Sequence, residues 1–549
     1  MCCHLIIFRS HPDVANFRFE GIMDIAKAVS LAIGNVLKEG LTDIFPRPDE
    51  VDLLRNPFFA AEIGKQVETR LKANALAALK VHPIQHVLFP KKDPFDFRRA
   101  ALMQPFDTIA SLALVISIAD VVERHRPQPA KNLVFSYRFK PIDGLLFNPE
   151  YTFTSFEQHV RERMRAPRVK VLVKCDIASF YDRLNLHRLE STLLGLPIDQ
   201  NRVRLINELL LFWANRDSYS LPIGGNASRI LAEAALISVD DYLISHKIKF
   251  CRFVDDYRFF APDTKSAHAW LTLFVERLFL EGLSINPAKT SLEDVSERNS
   301  EPLPAPRVSD PAPKRELGPV RLIVGYTGTI PTKFRELSDR EVSELKEENL
   351  DEAVLVIQSS VVIVPDDIRR LLRILVARAE FSKLSMLPDV LERFPQFTPM
   401  VVDLLIKKSA ETPDLTRAGL QTYFIGKLDA PERIPEYLLI AIVRLLGAKG
   451  YESKNPLLEL FRNLKRNAGS FIGRCVIDAL RGLATRNDVL EIRQYFNRAD
   501  TWERRAIIRL VDQKLSDGEK RPWLKNVKIH MADDLFAIES FEPKKEVKK

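Results

Sequence analysis

The 549-residue chain predicts an α+β protein in which a mixed-sheet domain is followed by an all-α tail. Three observations carry this. Between residues 132 and 329, short β-branched and aromatic runs alternate with helical patterns, as in a sheet covered by helices. The stretch 301–319 then holds Pro302, Pro304, Pro306, Pro311, Pro313 and Pro319, which disfavour regular structure. Beyond residue 335, apolar residues recur every three to four positions, helix after helix, with polar breaks between.

Taken in order, residues 1–80 read as a helical N-terminal extension with breaks at Pro46, Pro48 and Pro57 and a helix over 62–79. Residues 82–99 are rich in Pro, Lys, Arg and Phe, and 105–126 reads as a long amphipathic helix. The run from Val169 to Cys175 is a buried strand ending on Asp176, and 250–260 is a strand hairpin. In the tail, helices are expected at 368–379, 387–393, 400–408, 434–447, 456–464, 471–483, 488–495 and 502–514. Paired helices of this length suggest a HEAT-like solenoid, with an irregular helical domain as the alternative. At roughly 100 to 200 residues per domain, the divisions are 1–80, 81–335 and 336–549.

A hydrophobic content of 46% with 28% charged residues argues against wholesale disorder. The net charge of +8 permits a polyanionic partner without requiring one. The five cysteines, Cys2, Cys3, Cys175, Cys251 and Cys475, show no metal-ligand spacing. A reducing, cytoplasmic setting is expected, with Cys175 and Cys251 as small core residues. The apolar stretch 110–122 is shorter than the ~20 residues of a bilayer span, so no membrane residence is expected.

The chemistry is carried by acids. Asp255 and Asp256 sit together in a segment that is otherwise aromatic, aliphatic or basic, where paired carboxylates are costly unless they face a cation. Asp176, at a strand end, is a third. Two strands each delivering a carboxylate to one point satisfy the needs of two-metal phosphoryl transfer. Alternation puts Asp255 and Asp256 on opposite faces, making Asp255 the firm ligand and Asp256 a tuning or transient one. Ile177 offers its carbonyl oxygen to the same ion. Tyr181, with Phe180 beside it, opens a helix where a ring can pack on a nucleotide sugar; taken alone, the motif reads more readily as two core aromatics with Asp176 as a helix cap. Gly224 and Gly225 let the backbone approach a base pair closely, with Pro222 before them and Asn226 and Ser228 offering hydrogen bonds at a helix start. Lys289, after the turn at Pro287, is a charge partner or proton donor for a departing pyrophosphate. Lys91, Lys92, Arg98 and Arg99, interleaved with Phe95 and Phe97, form a basic patch suited to a triphosphate, and Arg138 is a second triphosphate or template candidate.

In order and spacing these elements resemble the reverse transcriptase palm: Asp176 to Asp182 is similar to motif A, Leu221 to Ser228 to motif B, Phe253 to Asp256 to motif C and Gly282 to Lys289 to motif D. The run Leu322 to Tyr326 resembles the primer-grip hairpin. The resemblance implies a right-hand polymerase with fingers and palm over 81–335, two Mg²⁺ ions for which Mn²⁺ can substitute, deoxynucleoside triphosphates as substrates, a DNA product and, in templated members, an RNA template. Two features narrow the subgroup. Ile223 stands where motif B usually carries Gln, and Phe135-Ser136-Tyr137-Arg138-Phe139, with a helical tail in place of a thumb, resembles the prokaryotic abortive-infection and defence-associated enzymes. That subgroup implies antiphage defence, a phage-derived trigger, a homo-oligomer and, in some members, untemplated synthesis from a protein hydroxyl. Conventional copying of a noncoding RNA and a catalytically inactive palm that binds nucleic acid stay open as alternatives. The priming residue is not assigned; Tyr423, Tyr437, Tyr451 and Tyr495 are the tail's hydroxyl candidates.

Overall fold

The computed structural model describes residues 23–42, 44–45, 47–91, 97–215, 217–296, 334–359, 365–464, 471–531 and 533–538. Lys92, Phe95, Cys2, Cys3, the proline-rich stretch and the 322–326 run lie outside these. The chain divides into two compact units, one of Met1–Thr42, Arg47–Pro83 and Gln104–Leu322, the other of Asp43–Pro46, Ile84–Met103 and Ile323–Lys549. Among the described residues the strands are β1 (Gln85–Pro90), β2 (Phe97–Leu102), β3 (Phe139–Ile142), β4 (Leu145–Phe147), β5 (Val171–Asp176), β6 (Phe250–Phe253), β7 (Asp256–Ala261) and β8 (Ser291–Asp294).

The first unit is organised by an antiparallel sheet of order β6-β7-β5-β8. The period of two along β7 sorts its aromatics. Tyr257 and Phe259 face the helix Thr264–Leu280, with their ring centroids 4.5 and 5.3 Å from Phe274. Phe260 faces the other way, into a core with Leu172, Phe156 and Val160, the last two from the helix Phe153–Met164. Each such buried side chain contributes about 1.5–3 kcal/mol. Cys175 pairs with Tyr257 and Cys251 with Arg258, so the two thiols point to opposite faces as free, buried core residues.

Two helices of this unit depart from the sequence reading. Pro105–His125 is buried almost all round, with only one face expected to be so; the helices Ile25–Glu39 and Asn226–Ala235 cover it. Among the described residues it is the one helix long and apolar enough to cross a membrane, and it lies in the interior of its unit. Pro57, read as a break, instead opens the helix Pro57–Lys72, where a proline costs no hydrogen bond, and Asn56 caps it by accepting from the Phe58 amide at 3.0 Å. The expected continuation to residue 79 is interrupted by Asn74 in the left-handed region.

In the second unit, residues 84–103 fold with the tail helices, whereas the sequence placed them with the sheet domain. Phe89 of β1 meets Phe45 edge-on at 5.4 Å and Tyr437 at 6.0 Å, Phe45 meets Phe471 at 5.8 Å, and Gln85 Nε2 donates to Asp500 Oδ2 at 3.2 Å. A two-stranded hairpin needs such a partner for its apolar face. The expected tail helices occur within a few residues of their predicted bounds. In addition, Asp339–Lys346, Leu350–Ser359, Asp414–Gly426 and Asp517–Val527 are helical. Thr398–Lys407, Glu436–Leu446, Ile472–Leu480 and Thr501–Lys514 pack each against the next. The helix ending at Leu446 closes so tightly on its neighbour that a Cβ at Gly447 would meet Ala479 at 2.6 Å.

Candidate active site

The strand β5 is an interior strand of the sheet, and its last residue, Asp176, lies opposite Asp256, the first of β7. Strands β6 and β7 are joined by Val254 and Asp255 alone, with Phe253 paired to Asp256. Asp255 therefore stands on the turn and not in the ladder, so strand alternation does not govern its direction as the sequence reading assumed. The Ile177 amide donates to the Asp255 carbonyl at 3.1 Å, fastening this turn to the end of β5. Val254 has φ +55°, a left-handed conformation costly for a β-branched residue.

Each acid has its own surroundings. Asp176 Oδ2 lies 3.2 Å from Lys289 Nζ and accepts from Asn286 Nδ2 at 3.3 Å, while the Asn286 amide donates to the Asp176 carbonyl at 2.7 Å. Asp256 Oδ1 accepts from Arg258 Nη1 at 3.0 Å. Burial pushes the Asp255 carboxyl up to about 7, and the charges of Asp176 and Asp256 add to the rise. Burial also raises Asp176, against the pull of Lys289. The structure brings Asp176, Asp255, Asp256 and Lys289 together at the ends of β5 and β7.

This donor set fits a divalent cation. Three interacting carboxylates, one held neutral to about pH 7, are relieved by positive charge, and the Lys289 ammonium already supplies some at Asp176. Among the described residues no three His, Cys, Asp or Glu side chains form a complete cage. A Mg²⁺ ion held by one or two carboxylates and a substrate's phosphates requires none.

The flanking residues divide into neighbours of the acids and scaffold. Ser179, at φ 47°, turns the chain into the short helix Phe180–Arg183. The Tyr181 carbonyl accepts from the Leu221 amide at 2.9 Å, which joins Tyr181 to the Pro222–Gly225 segment. Phe180 and Tyr181 are buried and meet edge-on at 5.6 Å. Gly224 has φ +124°, and Gly225 caps the helix Asn226–Ala235. Ser228 is buried. Asn226 is engaged internally: its Nδ2 donates to Asn35 Oδ1 at 2.8 Å and Glu39 Oε2 at 2.7 Å, and its Oδ1 accepts from Arg229 Nη1 at 2.6 Å. Pro222 is buried as well. Of the expected template contacts, Pro222 and Ser228 are thus buried, Asn226 is half-buried but engaged internally, and Gly225 is half-buried.

Arg138 is not a triphosphate or template residue. It is buried, with Nη1 on Glu123 Oε1 at 2.9 Å, Nη2 on the Pro127 carbonyl at 2.7 Å and Nε on the Val134 carbonyl at 3.1 Å. Lys91, Arg98 and Arg99 lie on or beside the β1–β2 hairpin in the second unit, where burial, aided by the charge of Arg99, drives the His86 imidazole down to about 4. Sequence reading missed Asn286 and a buried set of Arg126, Ser136, Glu233, Asp240 and Arg252 behind the turn. A usable signal existed for Arg252 and Glu233, single charges in otherwise apolar stretches.

Residues 90–303 match the family described as "Reverse transcriptase (RNA-dependent DNA polymerase)". No curated protein matches the chain. Among solved structures, telomerase from Candida albicans in complex with a TWJ fragment of telomeric RNA is 13% identical, with 72% of this chain and 66% of that one covered and a TM-score of 0.26. Apo telomerase from Candida tropicalis is 12% identical, with 75% and 86% covered and a TM-score of 0.29. Likenesses of this size carry no functional inference. Reverse transcriptase domains generally use divalent metal ions, in keeping with the donor set around Asp176 and Asp255. The matched stretch thus gives this chain a reverse transcriptase domain, an RNA-directed DNA polymerase-like nucleotidyltransferase.

Proposed function

We propose that the chain is a DNA polymerase that joins deoxynucleotides by two-metal phosphoryl transfer at Asp176 and Asp255. The observation that carries this is the meeting of these two acids with Asp256 at the end of β5, where burial and like charge hold Asp255 near 7 until a cation compensates. Asp176, Asp255 and the Ile177 carbonyl would hold the Mg²⁺ ions, and Asp256 would tune them through its pair with Arg258. Bound divalent ions supply charge neutralisation at the α-phosphate and lower the pKa of the attacking hydroxyl. Lys289 places a cation where the pyrophosphate leaves. Tyr181 stands beside the glycine turn to exclude a 2′-hydroxyl. Incorporation of labelled deoxynucleotides with Mg²⁺ or Mn²⁺, present in wild type and lost in Asp255→Ala, tests the reading. Incorporation retained in the variant contradicts it.

The finer reading is an antiphage defence enzyme of the prokaryotic abortive-infection type, cytoplasmic and homo-oligomeric, that makes DNA without a template from a protein hydroxyl. Its support is the Ser136-Tyr137-Arg138 run, Ile223 in motif B and the helical tail, read as a HEAT-like repeat in place of a thumb. Tyr437 and Tyr451 are buried, which favours Tyr423 and Tyr495, both half-buried, as the hydroxyl donors to test first. Mass spectrometry of protein from a bacterial host should find a peptide carrying covalent nucleotide. A product with a defined complement and no such peptide would favour templated copying of an RNA.

A further inference from the structure

Behind the turn that carries Asp255 lies a polar network that the phosphoryl-transfer reading leaves unused. Ser136, Asp240 and Arg252 are 0% exposed, Glu233 1% and Arg126 4%. Their charges balance as two guanidinium groups against two carboxylates. Glu233 Oε2 accepts from Arg126 Nη2 at 2.7 Å and lies 2.8 Å from Arg252 Nη1. Arg252 Nε and Nη2 donate to Asp240 Oδ1 at 2.9 Å and Oδ2 at 2.7 Å. The Ser136 hydroxyl donates to Glu233 Oε1.

The network reaches the turn at one residue, twice. The Val254 amide donates to Ser136 Oγ at 2.9 Å, and Arg252 Nη1 donates to the Val254 carbonyl at 3.2 Å. Both backbone polar groups of the strained residue are therefore held by buried side chains. Buried ion pairs are poor sources of net stability, because desolvation offsets their attraction. A strained φ, in contrast, persists only where its surroundings over-determine it.

The geometry points to Ser136, Glu233 and Arg252 as positioning residues that hold Val254 in the left-handed region and thereby aim Asp255 at Asp176. The inference rests on the polymerase reading above. Ser136 is the joint: its hydroxyl hands the Glu233 charge on to the Val254 amide. Removing that oxygen frees the turn to relax toward an ordinary φ, and a misplacement of about 1 Å in a catalytic group costs on the order of 10²-fold in rate.

The test is Ser136→Ala in the full-length protein, alone and with Val254→Gly, since glycine adopts φ +55° without help. Ser136→Ala should lower kcat for deoxynucleotide incorporation at least tenfold, with the KM for nucleotide within twofold. Mn²⁺ affinity, read by electron paramagnetic resonance, should weaken at least threefold while the thermal midpoint moves by less than about 3 °C. In the Val254→Gly background the same substitution should cost less than threefold. Wild-type kcat and Mn²⁺ affinity in Ser136→Ala, an equal loss in both backgrounds, or a loss matching the fraction unfolded by circular dichroism would each overturn the positioning role. Wild-type protein that neither incorporates nucleotide nor binds Mn²⁺ would instead overturn the polymerase reading, and this role with it.

Discussion

Asp176 and Asp256 stand directly opposite each other across the antiparallel β5–β7 ladder, two carboxylates in a position where like charges repel. A sheet tolerates such a pair when cations flank it. Lys289 and Asn286 sit on Asp176 and Arg258 on Asp256. Asp255, on the turn beside them, is pushed up to about 7 by burial and by the charges of Asp176 and Asp256, against the weaker pull of Lys289. The three acids thus differ in their surroundings and should differ in what their loss costs.

Asp255→Asn and Asp176→Asn should each reduce nucleotide incorporation by at least ~10³-fold, whereas Asp256→Asn, whose oxygen is engaged by Arg258, should cost about tenfold. Steady-state kinetics on the three purified variants checks the order. Equal losses at 255 and 256 would remove the distinction.

Stability without divalent ions should depend on pH through Asp255. Its carboxyl is pushed up to about 7 in the folded protein, against about 3.9 in an unfolded chain, so between these values the fold keeps a proton that the unfolded chain has released. The stabilisation is complete below about pH 4 and is lost as pH rises through 7. In chelator at pH 8, Asp255→Asn should raise the melting temperature by about 2–4 °C, and at pH 4 it should change it little. Calorimetry at the two pH values decides, and a variant less stable than wild type at pH 8 would contradict the assignment.

Lys289→Met should lower kcat while changing stability by less than about 1 kcal/mol, because its pair with Asp176 is solvent-exposed on the lysine side. Denaturant unfolding and single-turnover incorporation measure the two effects separately. A large stability loss with unchanged turnover would make Lys289 a structural residue.

Tyr181→Ala should admit ribonucleotides, reducing the preference for deoxynucleotides at least tenfold in competition assays. Unchanged sugar discrimination would return Tyr181 to the core, where its edge-on contact with Phe180 already seats it.

The acids were legible in the sequence because a strand's β-branched run ending in Asp176, and an Asp pair between aromatic strands, are local patterns. The residues that hold them were less so: Arg252 and Glu233 stand out as single charges, but their partners do not. Arg126 caps the helix Pro105–His125, Glu233 and Asp240 lie on two successive helices and Arg252 on β6, and a charge within a helical pattern reads as solvent-facing unless its partner is known. Arg138 was misread for the same reason: a basic side chain near a palm suggests phosphate, yet Glu123 and two carbonyls enclose it. The β1–β2 hairpin was assigned by position in the chain, while the aromatic contacts of Phe89 place it with the tail helices. Asn226 likewise looked like a free cap, and its partners, Asn35 and Glu39, lie in a helix nearly two hundred residues earlier.

Whether Asp176 and Asp255 share divalent cations is decided by anomalous diffraction from crystals grown with Mn²⁺ and a non-hydrolysable deoxynucleoside triphosphate. Mn²⁺ peaks should lie between the two carboxylates and the triphosphate; peaks elsewhere, or an ordered triphosphate with Lys289 still on Asp176 and no Mn²⁺ between the acids, would refute the shared site.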